Sequence, residues 1–154
     1  MKKFKFRLQK VLEHKERLFD IAKEEYLIQV RALQELQAEL ERLKKAFTRC
    51  LVQAGDFTKQ QFRIKDLALF YRYQFFLKRE MRECAARISK QENVVSQKRA
   101  ALVAAAQEKE VLVKLKARRF KEYQYEVDTE EQKTMDDIFS AKFIRNQTET
   151  VVGA

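Results

Sequence analysis

The side chains able to do acid–base, nucleophilic or metal chemistry are few in this 154-residue sequence. It has one histidine, His14, and its two glycines are too few for a glycine-rich phosphate-binding loop. Adjacent carboxylates occur at Glu24–Glu25 and Asp136–Asp137, but neighbouring residues of a helix point about 100° apart and are normally solvated. We therefore predict no enzymatic activity, no metal, no cofactor and no small-molecule ligand.

The two cysteines are better explained as small apolar residues. Cys50 and Cys84 both fall in apolar stripes of predicted helices, where a free cysteine behaves as a small hydrophobe. If the chain folds back near Gly55–Asp56, Cys50 faces Gln61 or Phe62 and lies several turns from Cys84. We expect two buried thiols.

Charge points to binding as the chemistry of this chain. The sequence has 33 basic and 23 acidic residues, a formal net charge of +10, which suits nucleic acid, an anionic membrane or an acidic protein face. The basic residues concentrate near the N-terminus and late in the second predicted helix: Lys2, Lys3, Lys5, Arg7, Lys10, Lys15, Arg17, Lys114, Lys116, Arg118, Arg119 and Lys121. Antiparallel pairing would bring both groups toward one end. The alternative is a solvated face that only keeps the chain soluble.

A second candidate binding surface is aromatic. It comprises Phe62, Leu69, Phe70, Tyr71, Tyr73, Phe75 and Phe76. These residues cover more than half of a helix circumference, whereas a two-helix seam uses only a narrow stripe, so part of the cluster is expected to be exposed. Exposed apolar patches usually mark interaction sites. The alternative is that Phe47 and its neighbours, or a dimer, cover them.

Two long helices must position these surfaces. Steps of four and three residues link one series, which is Leu8, Leu12, Lys15, Phe19, Ala22, Tyr26, Gln29, Leu33, Leu36, Leu40, Leu43, Phe47 and Cys50. A second series is Phe70, Tyr73, Leu77, Met81, Cys84, Ile88, Gln91, Val95 and Leu102, and it continues after a predicted stutter as Ala106, Val113, Phe120, Tyr123 and Val127. A seven-residue apolar repeat of this length predicts a coiled coil.

One turn accounts for the connection between the helices. There is no proline, and the internal glycine Gly55 is the natural left-handed cap of a first helix. Thr58 with Gln61 forms a candidate capping box for the second. We predict an all-α fold, a long antiparallel two-helix coiled coil (a helical hairpin) with an extended second helix.

The predicted boundaries follow from these signals. Residues 1–154 form a single domain with helix 1 over about 4–53, a turn over about 54–57, helix 2 over about 58–145 and a flexible tail over about 146–154. This register places Phe4 opposite about Gln107, so that the second helix projects beyond the first from Glu108 to at least Val127. A further amphipathic patch follows it, with Met135, Ile138, Phe139, Ala141, Phe143 and Ile144 at helical spacing.

Three segments resemble the FliJ proteins of the bacterial flagellar export apparatus. Residues 4–12, FKFRLQKVL, resemble the start common in that family. The segment from Phe70 to Leu77 is similar in character to the family's second-helix segment. Near the other end, a short family motif of a lysine, an apolar residue, two acidic residues and an apolar residue, with an arginine beyond, is matched by Lys133, Met135, Asp136, Asp137, Ile138 and Arg145.

The resemblance implies a non-enzymatic stalk like the central subunit of rotary ATPases. The implied partners are the hexameric flagellar export ATPase, whose assembly and activity it would promote, the membrane export gate protein and export chaperones. The implied ATPase-binding residues are Arg7, Lys10, Arg118 and Arg119, and those for the gate or chaperones are Phe70, Tyr73 and Leu77. The implied location is cytoplasmic, peripherally associated with the inner membrane at the flagellar base.

Two other functions remain open. A stalk protein of a virulence-type secretion system would have the same architecture, and genomic neighbours would separate the two. A basic nucleic-acid-binding coiled coil would place a basic region before a zipper, but the apolar pattern of Phe4, Phe6 and Leu8 within the basic N-terminus and the hairpin signal at Gly55 oppose it. We therefore expect no nucleic-acid partner.

Overall fold

Two helices make up the fold in the computed structural model, which describes residues 3–57 and 63–152, with side chains over 3–56 and 63–145. Helix α1 is Gln9–Phe57 and helix α2 is Ile64–Val152. They pack against each other, and the described residues contain no strand, which confirms the predicted all-α helical hairpin. The chain divides into two compact units, Arg17–Ala106 and Met1–Glu16 with Gln107–Ala154, which are described in turn.

In the unit Arg17–Ala106, polar contacts between the helices show their direction. The Cys84 thiol donates to the carbonyl oxygen of Leu36 at 3.4 Å, and Lys98 Nζ lies 2.7 Å from a carboxylate oxygen of Glu25. Later residues of α2 thus meet earlier residues of α1, so the helices are antiparallel. Gln91 Nε2 donates to the side-chain oxygen of Gln29 at 2.8 Å and to its backbone carbonyl oxygen at 3.1 Å.

The interior of this unit is the narrow stripe that the seven-residue repeat predicts. Cys50, Leu77 and Cys84 are buried, and the α1 series from Phe19 to Phe47 is half-buried throughout. Both cysteines are free thiols, as expected. Two packed helices can enclose only the positions between them, and the remaining faces stay exposed.

The prediction that Gly55 is a left-handed cap is wrong. Helix α1 continues through Gly55 to Phe57, and none of the described glycines has a positive φ angle. A helical glycine costs only about 1 kcal/mol relative to alanine. Half-buried positions continue to Ala54 in α1 and begin at Asp66 in α2, so packing between the helices offsets that cost. The capping-box residues Thr58 and Gln61 lie outside the described residues.

The pairing between the helices is also displaced from the expected one. A turn at Gly55–Asp56 would set Leu36 opposite Phe75, whereas Leu36 contacts Cys84, nine residues further along α2. The expected register rested on the turn alone, and the helix extends past that turn.

In the unit Met1–Glu16 with Gln107–Ala154, the start of α1 and the segment before it pack along α2. Lys15 Nζ is 2.6 Å from a Glu108 carboxylate oxygen, and Lys116 Nζ donates to Gln9 at 2.9 Å. Phe4 contacts Phe120, with ring centroids 5.2 Å apart in an edge-to-face arrangement. The predicted projection from Glu108 is therefore wrong in its starting point, because Glu108 and Lys116 lie beside α1. Phe120 and Tyr123 lie beside the segment before α1, and the second helix does extend beyond the first, to Val152.

The two ends of the hairpin also differ from the predicted boundaries. Helix α1 begins at Gln9 rather than near Phe4, after a turn in which the Gln9 N–H donates to the Phe6 carbonyl oxygen at 3.1 Å. Helix α2 begins at Ile64 and extends to Val152, through most of the segment expected to be a flexible tail. All residues over 130–145 are exposed.

The predicted stutter in α2 is wrong as well. Half-buried positions keep the seven-residue repeat through Lys98, Leu102, Ala105, Lys109, Leu112 and Lys116. The predicted members Val113 and Phe120 are instead 42% exposed. Lys109 and Lys116 were not assigned to this stripe. The methylene stem of a lysine can cover apolar surface while its ammonium group stays at the edge, where that of Lys116 donates to Gln9.

The position of Gly55 gives a first prediction. Gly55→Ala is expected to raise the free energy of unfolding by about 0.5–1 kcal/mol, because the backbone is helical and nothing lies within 4 Å of an added Cβ. Urea unfolding followed by circular dichroism measures the change. Ala54→Gly is the matched control and should lower stability by a similar amount. A destabilised Gly55→Ala variant would contradict the helical assignment.

Candidate functional site

The first candidate surface is the basic end, defined as Arg7, Lys10, Arg118 and Arg119. All four side chains are exposed and belong to the same compact unit. Arg7 and Arg119 line one open groove of about 660 Å³, and Lys10 and Arg118 lie outside it. The structure thus brings residues of the N-terminal segment beside residues from the second half of the sequence.

An aromatic cluster positions the N-terminal half of the basic end. Phe4 lies against Phe120 and also against Tyr123, with ring centroids 5.2 and 5.6 Å apart. Edge-to-face aromatic pairs add stability beyond the area they bury. This cluster holds the segment before α1 beside α2, and Phe4 and Tyr123 belong to the apolar part of the groove lining together with Phe6, Leu8 and Leu115.

Glu122 lies beside the basic end and was not predicted from the sequence. Arg119 donates from Nη1 to one oxygen of its carboxylate at 2.8 Å, and Arg118 donates from Nε to the other at 3.2 Å. The hydrogen bond from Arg119, with a smaller contribution from Arg118, lowers the pKa of Glu122 below its ordinary value. The spacing of three and four residues on a helix could have revealed this contact.

Both arginines keep donors for a partner. The Arg118 side chain is 79% exposed and that of Arg119 is 63% exposed. A guanidinium group has five N–H donors in a planar fork suited to carboxylates. An acidic partner surface could therefore bind here, in competition with Glu122.

The second candidate surface is the aromatic segment, residues 69–77 of α2. Its exposed members are Leu69, Tyr71, Tyr73, Phe75 and Phe76. Arg79 lies 5.9 Å from the ring centroid of Phe76, and Lys78 lies 5.6 Å from that of Phe47. Helix α1 therefore does not cover the cluster as the alternative required, and the surface is both aromatic and basic.

The three residues expected to contact the gate or chaperones are placed differently from one another. Tyr73 is exposed, Phe70 is half-buried and Leu77 is only 2% exposed. The expectation that Leu77 contacts the gate or chaperones is therefore wrong, because Leu77 lies in the stripe between the helices and is not available to a partner. Tyr71 and Phe75, which belong to the predicted aromatic surface, are more exposed than Tyr73.

The third candidate surface is the C-terminal motif, with Lys133, Met135, Asp136, Asp137 and Arg145. All five residues are exposed on α2. Met135 lines a groove of about 940 Å³ whose other walls include Lys3, Lys5 and Glu131. The structure does not place the other four motif residues in that groove.

Within the described residues, no group of three or more His, Cys, Asp or Glu side chains could hold a metal ion. The helices, as far as they are described, include none that is long and apolar enough to cross a membrane.

Comparison with known protein families identifies the chain. A family model described as "Flagellar FliJ protein" matches residues 4–148. The chain belongs to the FliJ family. The match includes the basic end, the aromatic segment and the C-terminal motif, and it assigns the chain to flagellar protein export in general. No curated protein and no solved structure matches the chain.

Proposed function

We propose that the chain is a non-enzymatic stalk component of the flagellar type III protein export apparatus. It docks through the basic end on the hexameric export ATPase and promotes assembly and activity of the ring. The observation that supports this proposal is that the exposed residues Arg7 and Arg119 line the same groove. Family membership supplies the export context.

The chemistry of the basic end suits an acidic rim or pore of a ring. Arginine forms bidentate hydrogen bonds to carboxylates, which fix orientation as well as adding affinity. The net charge of +10 also favours encounter with an acidic surface at low ionic strength. A helical hairpin has no role in hydrolysis itself. It acts by contacting some ring conformations more favourably than others, which shifts their populations.

The aromatic segment supplies the second contact of the proposed stalk. Phe70 and Tyr73, together with the more exposed Tyr71 and Phe75, bind the membrane export gate protein or export chaperones. Tyrosine and phenylalanine are rigid side chains that often dominate binding energy at interfaces. This contact would hold the chain at the cytoplasmic side of the inner membrane at the flagellar base.

The test is ATP hydrolysis by the purified export ATPase of the same organism, with and without this chain. Size-exclusion chromatography with light scattering follows ring assembly in the same samples. We expect faster turnover and an assembly constant about fivefold higher or more, which corresponds to a coupling free energy near 1 kcal/mol. If circular dichroism shows a folded helical chain and neither quantity changes, the proposal is wrong.

A further inference from the structure

The C-terminal part of α2 carries an exposed apolar face. Met135, Ile138, Phe139 and Phe143 are between 46% and 64% exposed, and their spacing places them on one side of the helix. Residues 130–145 are exposed without exception. Exposed apolar faces of this kind usually bind another surface. We propose that this face binds the same face of a second copy of the chain, in an antiparallel helix pair.

The order of charges along the face carries the proposal. Steps of three and four residues define a seam of six positions, which are Asp128, Glu131, Met135, Ile138, Lys142 and Arg145. From the N-terminal end, the seam reads two acidic, two apolar and two basic residues. All six side chains are exposed. A helix whose seam is acidic at one end and basic at the other is complementary in charge to a second copy that runs in the opposite direction.

In an antiparallel pair with its two-fold axis between residues 136 and 137, every seam residue lies opposite a complementary residue of the second copy. It sets Asp128 opposite Arg145 of the second copy, Glu131 opposite Lys142 and Met135 opposite Ile138. Because the interface is isologous, each contact occurs twice. A parallel pair would set Glu131 against Glu131 and Lys142 against Lys142, which is repulsive.

Residues beside the seam agree with this arrangement. Phe139 lies about 40° from Met135 around the helix, so it flanks the seam and adds apolar area. Asp136 and Asp137 lie near the two-fold axis, but helical geometry turns both away from the seam. Their like charges therefore stay in solvent.

The distribution of charge favours a second copy over an anionic membrane surface. Residues 128–137 contain five acidic side chains and one basic side chain, and residues 138–145 contain two basic and no acidic ones. Helices that bind anionic bilayers carry basic residues along their polar face. The acidic half of this segment would be repelled there, whereas antiparallel pairing sets it against the basic half of the second copy.

The test is sedimentation equilibrium of the full chain at low salt with two charge reversals. Glu131→Lys and Lys142→Glu should each weaken dimerisation roughly tenfold, because each change converts two attractive contacts into repulsive ones. An equimolar mixture of the two variants should regain at least wild-type affinity, since the lysine introduced in one variant then meets the glutamate introduced in the other. The matched controls are Lys133→Glu, on the opposite side of the helix, and Glu130→Lys, about 100° around the helix from Glu131. Both should change the dissociation constant little.

Other outcomes would overturn the proposal. A wild-type chain that stays monomeric up to about 1 mM has no such interface, and another partner would then cover the face. In a parallel pair, the single reversals would leave the dissociation constant unchanged. Loss of dimerisation in the Glu130→Lys control as great as in Glu131→Lys would indicate a general charge effect. Circular dichroism of each variant confirms that helicity is intact.

Discussion

Leu77→Ala is expected to lower the free energy of unfolding by about 2–4 kcal/mol. Leu77 is 2% exposed, in the stripe between α1 and α2, and truncation of a buried leucine loses its transfer free energy and leaves a cavity. Few of the described residues are buried so completely. Few neighbouring side chains can therefore relax into the cavity that the truncation leaves. Urea unfolding monitored by circular dichroism measures the loss.

Phe75→Ala is the matched control for Leu77→Ala. Phe75 is in the same segment but is 72% exposed, so its truncation should change stability by no more than about 0.5 kcal/mol. It should instead weaken binding to the export gate protein or to export chaperones. Equal losses of stability in both variants would contradict the placement of Leu77 inside and Phe75 outside.

The double variant Arg118→Glu, Arg119→Glu is expected to weaken association with the export ATPase by about tenfold or more. Both guanidinium groups are exposed at the basic end, and reversal replaces attraction to an acidic surface by repulsion. Repulsion from Glu122 should lower helix stability only slightly, because like charges on an exposed helix face interact weakly. Fluorescence anisotropy or calorimetry gives the dissociation constant, and circular dichroism checks the helix.

The control for this variant is Lys44→Glu, Lys45→Glu, which makes the same change of net charge in the other compact unit. Binding to the ATPase should be nearly unaffected by it. Glu122→Gln should act in the opposite direction to the arginine reversals, because the two guanidinium groups then share one neutral amide oxygen in place of a charged carboxylate. If the arginine reversals bind as the wild type does, the basic end is not the docking surface.

The seven-residue repeat predicted most of the fold, because a stripe between two long helices imposes a spacing that loops and other folds do not. The register could not be derived from Gly55, since a glycine near a helix end fits both a cap and a helical position. The two apolar stripes contain a better indication of the register. Each contains one glutamine, Gln29 and Gln91, and pairing these two predicts the observed register.

The candidate site was predicted in part for the same reason. Antiparallel order alone brings the N-terminus and residues 114–121 toward one end. The contact of Phe4 with Phe120 requires the correct register and a non-helical segment, and neither is apparent from apolar spacing. Tyr71 and Phe75 were placed in the aromatic surface but not among the residues assigned to the gate or chaperones. Those assigned residues, Phe70, Tyr73 and Leu77, were positions of the apolar series, whereas a partner contacts the exposed residues beside the seam.

The paired amides of Gln29 and Gln91 have a consequence for motion. A seam of similar apolar side chains would allow one helix to slide along the other by a heptad with little change in packing. Such a slide would set Gln91 beside Ala22 or Leu36 and break the hydrogen bond between the two amides, a loss of about 0.5–1.5 kcal/mol. The pair therefore opposes sliding, and a displacement of α1 along its axis carries α2 with it.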